Sequence, residues 1–555
     1  MKTWPWVAVA LLALLQACGG GSTPNTETFQ SAGQAAPAAA APKVTHYAAS
    51  RFADQATFGP TPELVAELRA KGFEKWIDEQ FALATTPIDV AAAEEQYNYP
   101  TNVVPPARID YFTETEMVRL SLTARDQLRW RLTWSLTNFI VTSGNQVPAK
   151  VVWLNLLYRE SLGNYGTLLR DMSRNRHMAW YLNNDQNRPK SAACPYCAPN
   201  ENYARELMQL FSIGVFKLNA DGTPQRDGRG RFVETYRQTD VEELARALTG
   251  WTADPNPPGR PERNGANWAR PMVPSELMFE RDSGRKVVMG KVFPAGQRHE
   301  TDLDDIVAML MSHPNIAPFI ALRLIQHLVK SDPSPGYIER VGAKFRDNGR
   351  GLAGDMKAVV KAVLLDAEAR RGDNPANARP EDGKFREPWL HRMALFRGMG
   401  CVRNILVKPE NYWFVDHQNL LRQESVFGYY APNDRAPGSN LLAPEQRLVG
   451  AAELSARLSE LNQLRVSAVA NAGQLPQLRD AGCNFDLFVD AYTRSAKDFL
   501  DLLSERYFRG AMPPTLRSNM DQMIKAPQWN PNDATEGAMR MLSFALSTQY
   551  FGVIK

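Results

Sequence analysis

The chain has 555 residues, with 64 Lys and Arg against 60 Asp and Glu and a formal charge of +4. This near balance, without a concentrated basic run, gives no indication of a nucleic-acid partner. A content of 44% hydrophobic and 22% charged residues excludes a disordered chain, and no apolar run reaches the roughly 20 residues of a transmembrane helix.

The N-terminus has the pattern of a secretory signal. Met1-Lys2-Thr3 precedes an apolar run from Trp4 to Leu15, which as a helix rises about 18 Å and is too short for about 30 Å of hydrocarbon. Leu15-Gln16-Ala17-Cys18 resembles the lipobox of bacterial lipoproteins, which implies a signal peptide at 1–17 and lipidation of Cys18. Gly19 follows, where Asp is the usual inner-membrane retention signal, so we expect the outer membrane. A plain secretory peptide is the alternative.

A low-complexity segment follows the expected cleavage site. Of the 27 residues from Gly19 to Thr45, 20 are Gly, Ala, Ser, Thr or Pro. Such a segment buries too little apolar area to offset its ordering entropy, and as a coil it spans roughly 30 Å. We therefore assign residues 18–45 to a lipidated flexible tether and residues 46–555 to the folded domain.

Helical patterns dominate the folded domain. Thr61-Pro62-Glu63 is typical of an N-cap followed by Pro in the first turn, and Gly72 ends the apolar repeat. Further helices are predicted at 76–81, 114–142, 151–157, 200–213, 239–250, 302–330, 335–347, 355–370, 384–399, 443–465 and 534–549. The sequence therefore predicts a mainly α fold, a large multi-helix bundle or array.

The region from about 215 to 300 interrupts this pattern. Gly and Pro are dense there, and short β-like strings occur at 231–233 and 286–289. Loops of this length are uncommon unless they are functional. We predict a loop-rich insertion that contains a small β-hairpin or sheet and faces a partner or substrate.

Four cysteines remain once Cys18 is set aside. Thiols outside the cytoplasm tend to be oxidised, and among three connectivities we favour a small Cys194–Cys197 loop and a long Cys401–Cys483 bridge. The string Cys194-Pro195-Tyr196-Cys197 is identical to a glutaredoxin-type active-site sequence. A redox CxxC, however, follows a strand and begins a helix, whereas this one lies in a polar loop. A structural bridge is the main interpretation and a redox role is the alternative.

Several distinctive strings are spread across the folded domain: Ala56-Thr57-Phe58-Gly59-Pro60-Thr61, Asn200-Glu201-Asn202-Tyr203-Ala204-Arg205-Glu206-Leu207-Met208, Ala245-Arg246-Ala247-Leu248-Thr249-Gly250-Trp251, Gly383-Lys384-Phe385-Arg386-Glu387-Pro388 and Ser425-Val426-Phe427-Gly428. Together they resemble a large bacterial family, the domain of unknown function 1800, over about residues 48–555. The resemblance implies an exported protein without an established reaction. It also implies a nearby gene for an exported protein related to sulfatases and alkaline phosphatases, which is a candidate partner. Many members carry His-Asp where this chain has Arg281-Asp282, so a ligand role for that His is not expected here.

The densest polar string lies at the start of the 200–213 helix, with Asn200 as the expected N-cap. Glu201 and Arg205 are i,i+4 and are expected to pair. Glu201 and Glu206 are five positions apart, about 140° around the axis, so they do not form a carboxylate dyad by themselves. The candidate catalytic residues are Glu206, Glu201 and Arg205.

Other polar residues are candidates for a binding site near this helix. Thr239-Asp240-Val241-Glu242 has the pattern of a capping box, and Arg246 lies one turn further on, in reach of a carboxylate. The candidate binding residues are Asn200, Asn202, Asp240, Arg246 and Arg386. An open cleft lined by Glu206, Arg246 and Arg386 would favour an enzyme, whereas a satisfied Asn/Glu/Arg network would favour a structural role.

An acidic stretch offers one further candidate. Oxygen and nitrogen ligands suited to a cation occur at His299, Glu300, Asp302, Asp304 and Asp305. The N-terminus of a helix, where acidic residues are favoured, explains the same residues. We assign no metal site and no cofactor. The sequence has no Gly-x-Ser-x-Gly, Walker, His-Glu-x-x-His or dinucleotide-binding motif.

Two functions agree with these patterns. The first is an outer-membrane lipoprotein, facing the periplasm or the cell surface, that assists assembly, export or attachment of another exported molecule without catalysis. The second is a hydrolase or lyase acting on a cell-envelope or extracellular polymer, with Glu206 or Glu201 as general acid or base. In both, the membrane is contacted through the lipid anchor.

Overall fold

The computed structural model describes residues 44–98, 112–144, 147–254, 268–401, 418–423, 425–450 and 483–555, together with 452, 454, 455, 457 and 458. The expected signal peptide, Cys18 and the tether up to residue 43 lie outside the described residues. Within them, no single helix is both long and apolar enough to cross a membrane. The bent pair His299–Ser312 and Ile316–Leu328, at 76°, meets that criterion only jointly.

The described residues form a mainly α fold of 22 α-helices, which confirms the predicted fold class. Short 3-10 helices lie at Met278–Glu280, Arg371–Asp373, Pro375–Asn377 and Pro444–Leu448. The α-helices are His46–Ala56, Pro62–Lys71, Phe73–Ala82, Val90–Asn98, Phe112–Thr123, Gln127–Phe139, Val147–Glu160, Tyr165–Ser173, Arg176–Tyr181, Asn202–Gln209, Gln238–Ala247, His299–Ser312, Ile316–Leu328, Pro335–Arg346, Met356–Leu365, Ala367–Arg370, Pro388–Gly398, Phe485–Arg494, Ala496–Tyr507, Pro514–Lys525, Ala534–Ser547 and Gln549–Gly552.

Helix ends with strong local signals lie where the sequence predicts them. Thr61 is the N-cap of Pro62–Lys71, its hydroxyl accepting from the Leu64 N–H at 3.2 Å. Gly72 ends that helix with φ of 80°, a left-handed conformation that glycine adopts without strain. Capping chemistry therefore decides these boundaries.

Two long predicted helices are each broken in two. The 114–142 run ends at Thr123 and resumes at Gln127, whose side-chain amide donates to three main-chain carbonyls of the preceding turn. The 302–330 run is interrupted at 313–315, where Pro314 lacks the N–H that would continue the helix. Apolar periodicity continues across both breaks, so it conceals them.

The predicted helix at 384–399 begins late, because Lys384–Phe385 form a strand that pairs with Val553–Ile554. Pro388 then occupies the first turn of the helix Pro388–Gly398. The predicted 443–465 helix begins as the 3-10 turn Pro444–Leu448, and beyond 458 it lies outside the described residues.

The 215–300 region contains the expected small β structure. Lys286–Val288 and Lys291–Phe293 form an antiparallel hairpin, and Trp251–Thr252 pairs with Val273–Pro274. The predicted strand at 231–233 is reduced to an isolated bridge, Arg226 with Phe232.

The two ends of the folded domain meet beside the 383–388 string. The main-chain oxygen of Lys555 accepts from Arg51 Nε at 2.9 Å, which joins the first helix to the last strand. Gly59 allows a close approach nearby: a Cβ there would lie 2.8 Å from the Cα of Ala394. The 56–61 string therefore packs against the helix Pro388–Gly398, which begins at the end of the 383–388 string.

Candidate functional site

The helix that carries the candidate catalytic residues is Asn202–Gln209, shorter than predicted. Its N-cap is Glu201 rather than Asn200, because the Asn200 side chain instead accepts from the Asn202 N–H at 3.0 Å in a local turn. Tyr203 and Leu207 lie four positions apart on one face of this helix, and both are buried. The opposite face holds the polar residues.

Glu201 and Arg205 form the predicted i,i+4 ion pair. Arg205 donates to Glu201 at 2.7 Å, and their side chains are 37% and 33% exposed. Gln238 from the next helix joins them, accepting from Arg205 at 3.2 Å and donating to Glu201 at 2.8 Å. The same amide donates to Glu242 at 3.2 Å. These four side chains bind one another in a partly exposed network.

Glu206 is the exception on this helix. It is half-buried, and its Oε2 is buried without a hydrogen-bond partner. Burial raises the pKa of Glu206, and the neighbouring Arg205 opposes that rise only in part. Tyr181 and Tyr236 lie near enough that the Glu206 charge contributes to their raised pKa values, although burial is the larger cause for both. Glu206, with Tyr181 and Tyr236 near it, is therefore the group on this helix that is suited to acid–base chemistry.

Asp240 and Arg246 attach the helix Gln238–Ala247 to the insertion. The predicted capping box from Thr239 to Glu242 is wrong, because Asp240 caps this helix by accepting from the N–H of Arg237 at 2.8 Å. The Asp240 carboxylate also accepts from the N–H of Met289 in the insertion at 2.6 Å. The helix begins at Gln238, one position before the predicted start, which places Asp240 in the third helical position.

Arg246 does hold a carboxylate in bidentate geometry, as predicted. The carboxylate belongs to Asp282, at 2.8 and 3.1 Å, and Glu243 accepts from the remaining nitrogen at 2.5 Å. The hydrogen bonds that Arg246 donates to Asp282 raise the pKa of Arg246. Arg246 thus fastens the 281–285 loop to the helix.

Arg386 lies with a different set of groups. Its guanidinium is 3.1 Å from Asp54 and 4.5 Å from the centre of the Phe551 ring. Arg509 holds the other oxygen of Asp54 at 2.9 Å, and both arginines line a cavity of about 350 Å³. Arg246 and Arg386 therefore have separate partners, neither of which is Glu206, and the structure does not bring the three residues together in one cleft.

Adjacent to Arg386 is a fully buried ion pair that the sequence analysis did not single out as a site. Lys384 donates to Glu387 at 2.8 Å, and both side chains are at most 1% exposed. Gln418 donates to the second oxygen of Glu387 at 2.7 Å. The pKa of Glu387 falls to about 2 despite burial, because Lys384 and the neighbouring charges favour the carboxylate.

A second buried ion pair also escaped sequence analysis. Lys150 is 0% exposed and lies 3.4 Å from Glu114, whose pKa is raised by burial. His177 is 1% exposed, its ring nitrogens have no hydrogen-bond partners, and burial lowers its pKa to about 3. Lys150, one of only two polar residues in the apolar 147–157 stretch, is the signal that identifies this cluster from sequence.

The acidic stretch at 299–305 is engaged by basic side chains. The three aspartates form ion pairs with residues from other segments: Asp302 with Arg281 and, at 3.4 Å, Lys286; Asp304 with Arg170 at 2.6 Å; and Asp305 with Lys291 at 2.7 Å. Among the described residues no group of three or more His, Cys, Asp or Glu is arranged to hold a metal ion.

Both predicted disulfides are present, Cys194–Cys197 and Cys401–Cys483. The first lies in an irregular loop, and the next helix starts only at Asn202, so this CxxC does not begin a helix.

A family model described as "Protein of unknown function (DUF1800)" matches residues 51–552. The chain matches none of the curated proteins and none of the solved structures compared with it.

Proposed function

Since the chain belongs to the DUF1800 family, whose description gives no function, we propose a function from its own residues. The protein is an outer-membrane-anchored lipoprotein that assists assembly, export or attachment of another exported molecule without catalysing a reaction. The candidate partner is the exported protein related to sulfatases and alkaline phosphatases.

The observation that carries this proposal is that most of the candidate polar residues already bind other groups of the protein. Five of them have partners within the protein: Glu201 and Arg205 pair with each other, Asp240 caps a helix, and Arg246 and Arg386 form ion pairs with residues of other segments. Charged groups held in this way are poor candidates for binding substrate, because each would have to give up its present partner. Asp240 and Arg246 fix the position of the insertion, which is then available as a docking surface.

The anchor rests on the Leu15-to-Cys18 string, and its test is direct. Cys18→Ala removes the thiol that would carry the lipid. We expect loss of radiolabelled palmitate incorporation and release of the protein from the membrane fraction. A Cys18→Ala protein that stays in the outer-membrane fraction would contradict the anchor.

The non-catalytic role is tested by complementation. A deletion strain is compared with the parent strain by quantitative proteomics of the outer membrane and the culture medium. We expect wild-type protein and the Glu206→Gln variant to restore the same set of exported proteins. Glu201→Gln, which changes the ion-paired carboxyl on the same helix, is the matched control.

Glu206 also supports a second candidate function, a hydrolase or lyase acting on an envelope polymer. Its raised pKa and unpartnered oxygen suit a general acid. If Glu206→Gln folds normally but fails to complement while Glu201→Gln succeeds, this second function replaces the first.

A further inference from the structure

A twelve-residue surface loop, 188–199, carries the Cys194–Cys197 disulfide. Pro195 and Tyr196 between the two cysteines are exposed, Tyr196 at 99%, and both cysteines are themselves partly exposed. We propose that this bridge is a thiol–disulfide exchange site, open to a dithiol of the thioredoxin class on another exported protein.

The bridge is not needed to close the loop. At its base, Asn187 accepts from the Asn200 N–H at 2.7 Å and donates to the Asn200 carbonyl at 3.3 Å. The Asn187 carbonyl in turn accepts from the Gly250 N–H at 2.8 Å. These hydrogen bonds hold the loop ends together, and the disulfide joins residues only three positions apart further out. The covalent bond therefore adds little to a loop that is already closed.

The second disulfide supplies a contrast within the same chain. Cys401 and Cys483 are 3% and 7% exposed and are separated by 82 positions. The neighbouring Asn484 N–H donates to the Met399 carbonyl at 2.9 Å, which fixes this bridge against the end of the helix Pro388–Gly398. Exchange needs an attacking thiolate to reach a sulfur along the S–S axis. Of these two bridges, Cys194–Cys197 is the one whose cysteines are themselves partly exposed.

The charge of the loop also suits exchange. Residues 188–199 include Arg188 and Lys190 but no Asp or Glu. Arg188 is paired with Glu280 at 3.2 Å, and Lys190 is exposed, four positions before Cys194. A nearby positive charge stabilises a departing thiolate.

The exchange proceeds in two balanced steps. A thiolate of the dithiol attacks one sulfur, so the Cys194–Cys197 bond breaks, a mixed disulfide forms and the other cysteine leaves as a thiolate that takes up a proton. The second thiol of the dithiol then attacks the mixed disulfide and becomes part of its own disulfide. Two electrons and two protons pass to Cys194 and Cys197, and the dithiol is oxidised.

The first experiment uses the native, oxidised full-length protein and limiting dithiothreitol. Samples are quenched with N-ethylmaleimide over time and analysed by peptide mass spectrometry. We expect Cys194 and Cys197 to be alkylated at least tenfold faster than Cys401 and Cys483. We also expect the melting temperature to fall by less than half of the fall seen when both bridges are opened. Equal rates, or faster opening of Cys401–Cys483, overturn the proposal.

The second experiment tests the partner class. A thioredoxin-type protein whose resolving cysteine is replaced by Ser is mixed with the oxidised chain, so that the mixed disulfide persists. We expect a cross-link at Cys194 or Cys197 that is lost in the Cys194→Ser/Cys197→Ser double variant and kept in Cys401→Ser/Cys483→Ser. No cross-link in the wild-type chain, or one that survives in the first double variant, overturns the proposal.

Discussion

The strings at 200–206 and 383–388 contain the same kinds of polar residue, but they occupy opposite environments. In the first, Glu201 and Arg205 are about one-third exposed and share a network with a neighbouring amide. In the second, Lys384 and Glu387 are at most 1% exposed. The 200–206 segment follows the partly exposed Cys194–Cys197 bridge along the chain, whereas the buried Cys401 follows the helix that begins at Pro388. The number of charges in a motif therefore does not reveal whether the motif is structural.

The difference has an energetic consequence. A buried charge loses its hydration, so removing its partner costs several kcal/mol, whereas an exposed ion pair contributes about 1 kcal/mol or less. The 383–388 segment is thus fixed by the fold. The partly exposed Glu201 and Arg205 of the 200–206 segment can change with little loss of stability, so a functional role is testable there.

The largest effect is expected for Glu387→Gln. The substitution leaves Lys384 buried without its carboxylate, and we expect a loss of about 4 kcal/mol in the free energy of unfolding, measured by urea denaturation. The control is Lys384→Met/Glu387→Leu, which removes both charges and is expected to cost less than the single change. A loss below about 1 kcal/mol for Glu387→Gln would contradict the buried-pair interpretation.

The same variant has a distinct pH dependence. The pKa of Glu387 is about 2 in the folded state against an ordinary 4.5, so its carboxylate stabilises the fold above 4.5. This contribution is lost as the pH falls from 4.5 towards 2, by about 3 kcal/mol in total. Glu387→Gln should lack that loss, so the difference between variant and wild type should shrink in acid.

The second largest effect is expected for the Cys401–Cys483 bridge. It closes a loop with a sequence separation of 82, so Cys401→Ser/Cys483→Ser should cost about 3 kcal/mol through greater freedom of the unfolded chain. The matched change, Cys194→Ser/Cys197→Ser, should cost at most about 2 kcal/mol because its loop is short. Differential scanning calorimetry compares the two, and a larger loss for the short loop would reverse the contrast.

A smaller effect is expected for Arg246→Lys. Lysine keeps the charge but cannot hold both oxygens of Asp282, and the side chain is 29% exposed. We expect a loss of about 1 kcal/mol and faster amide hydrogen exchange in the 281–289 segment. Arg205→Lys, on the more exposed ion pair, is the control and should change the free energy of unfolding less.

Local chemistry accounts for what the sequence predicts correctly. Thr61 and Gly72 bound their helix through capping, and the expectation of an oxidising environment predicts both disulfides. The strand at Lys384–Phe385 could not be found this way, because its partner lies about 170 positions further along the chain. The partners of Arg246 and Arg386 are likewise set by tertiary packing, and periodicity carries no information about them. Sequence reasoning located the local pair Glu201–Arg205, but it did not identify the distant partners of Arg246 and Arg386.

The smallest effect, and the one opposite in sign, is expected for Glu206→Gln. Burial raises the pKa of Glu206 above its ordinary 4.5, so at neutral pH the folded state holds a charge that the unfolded state hydrates better. As the pH rises through the window that begins at 4.5, the wild type therefore loses stability and the variant does not. Glu206→Gln should be slightly more stable than wild type at pH 7, by less than about 1 kcal/mol, and indistinguishable from it at pH 4. Urea denaturation at both pH values measures this, with Glu201→Gln as control, because loss of its ion pair should weaken the fold at pH 7. A Glu206→Gln variant that is destabilised at pH 7 would show that the Glu206 carboxylate has an attractive partner. That result would contradict the proposal that Glu206 is available as a general acid.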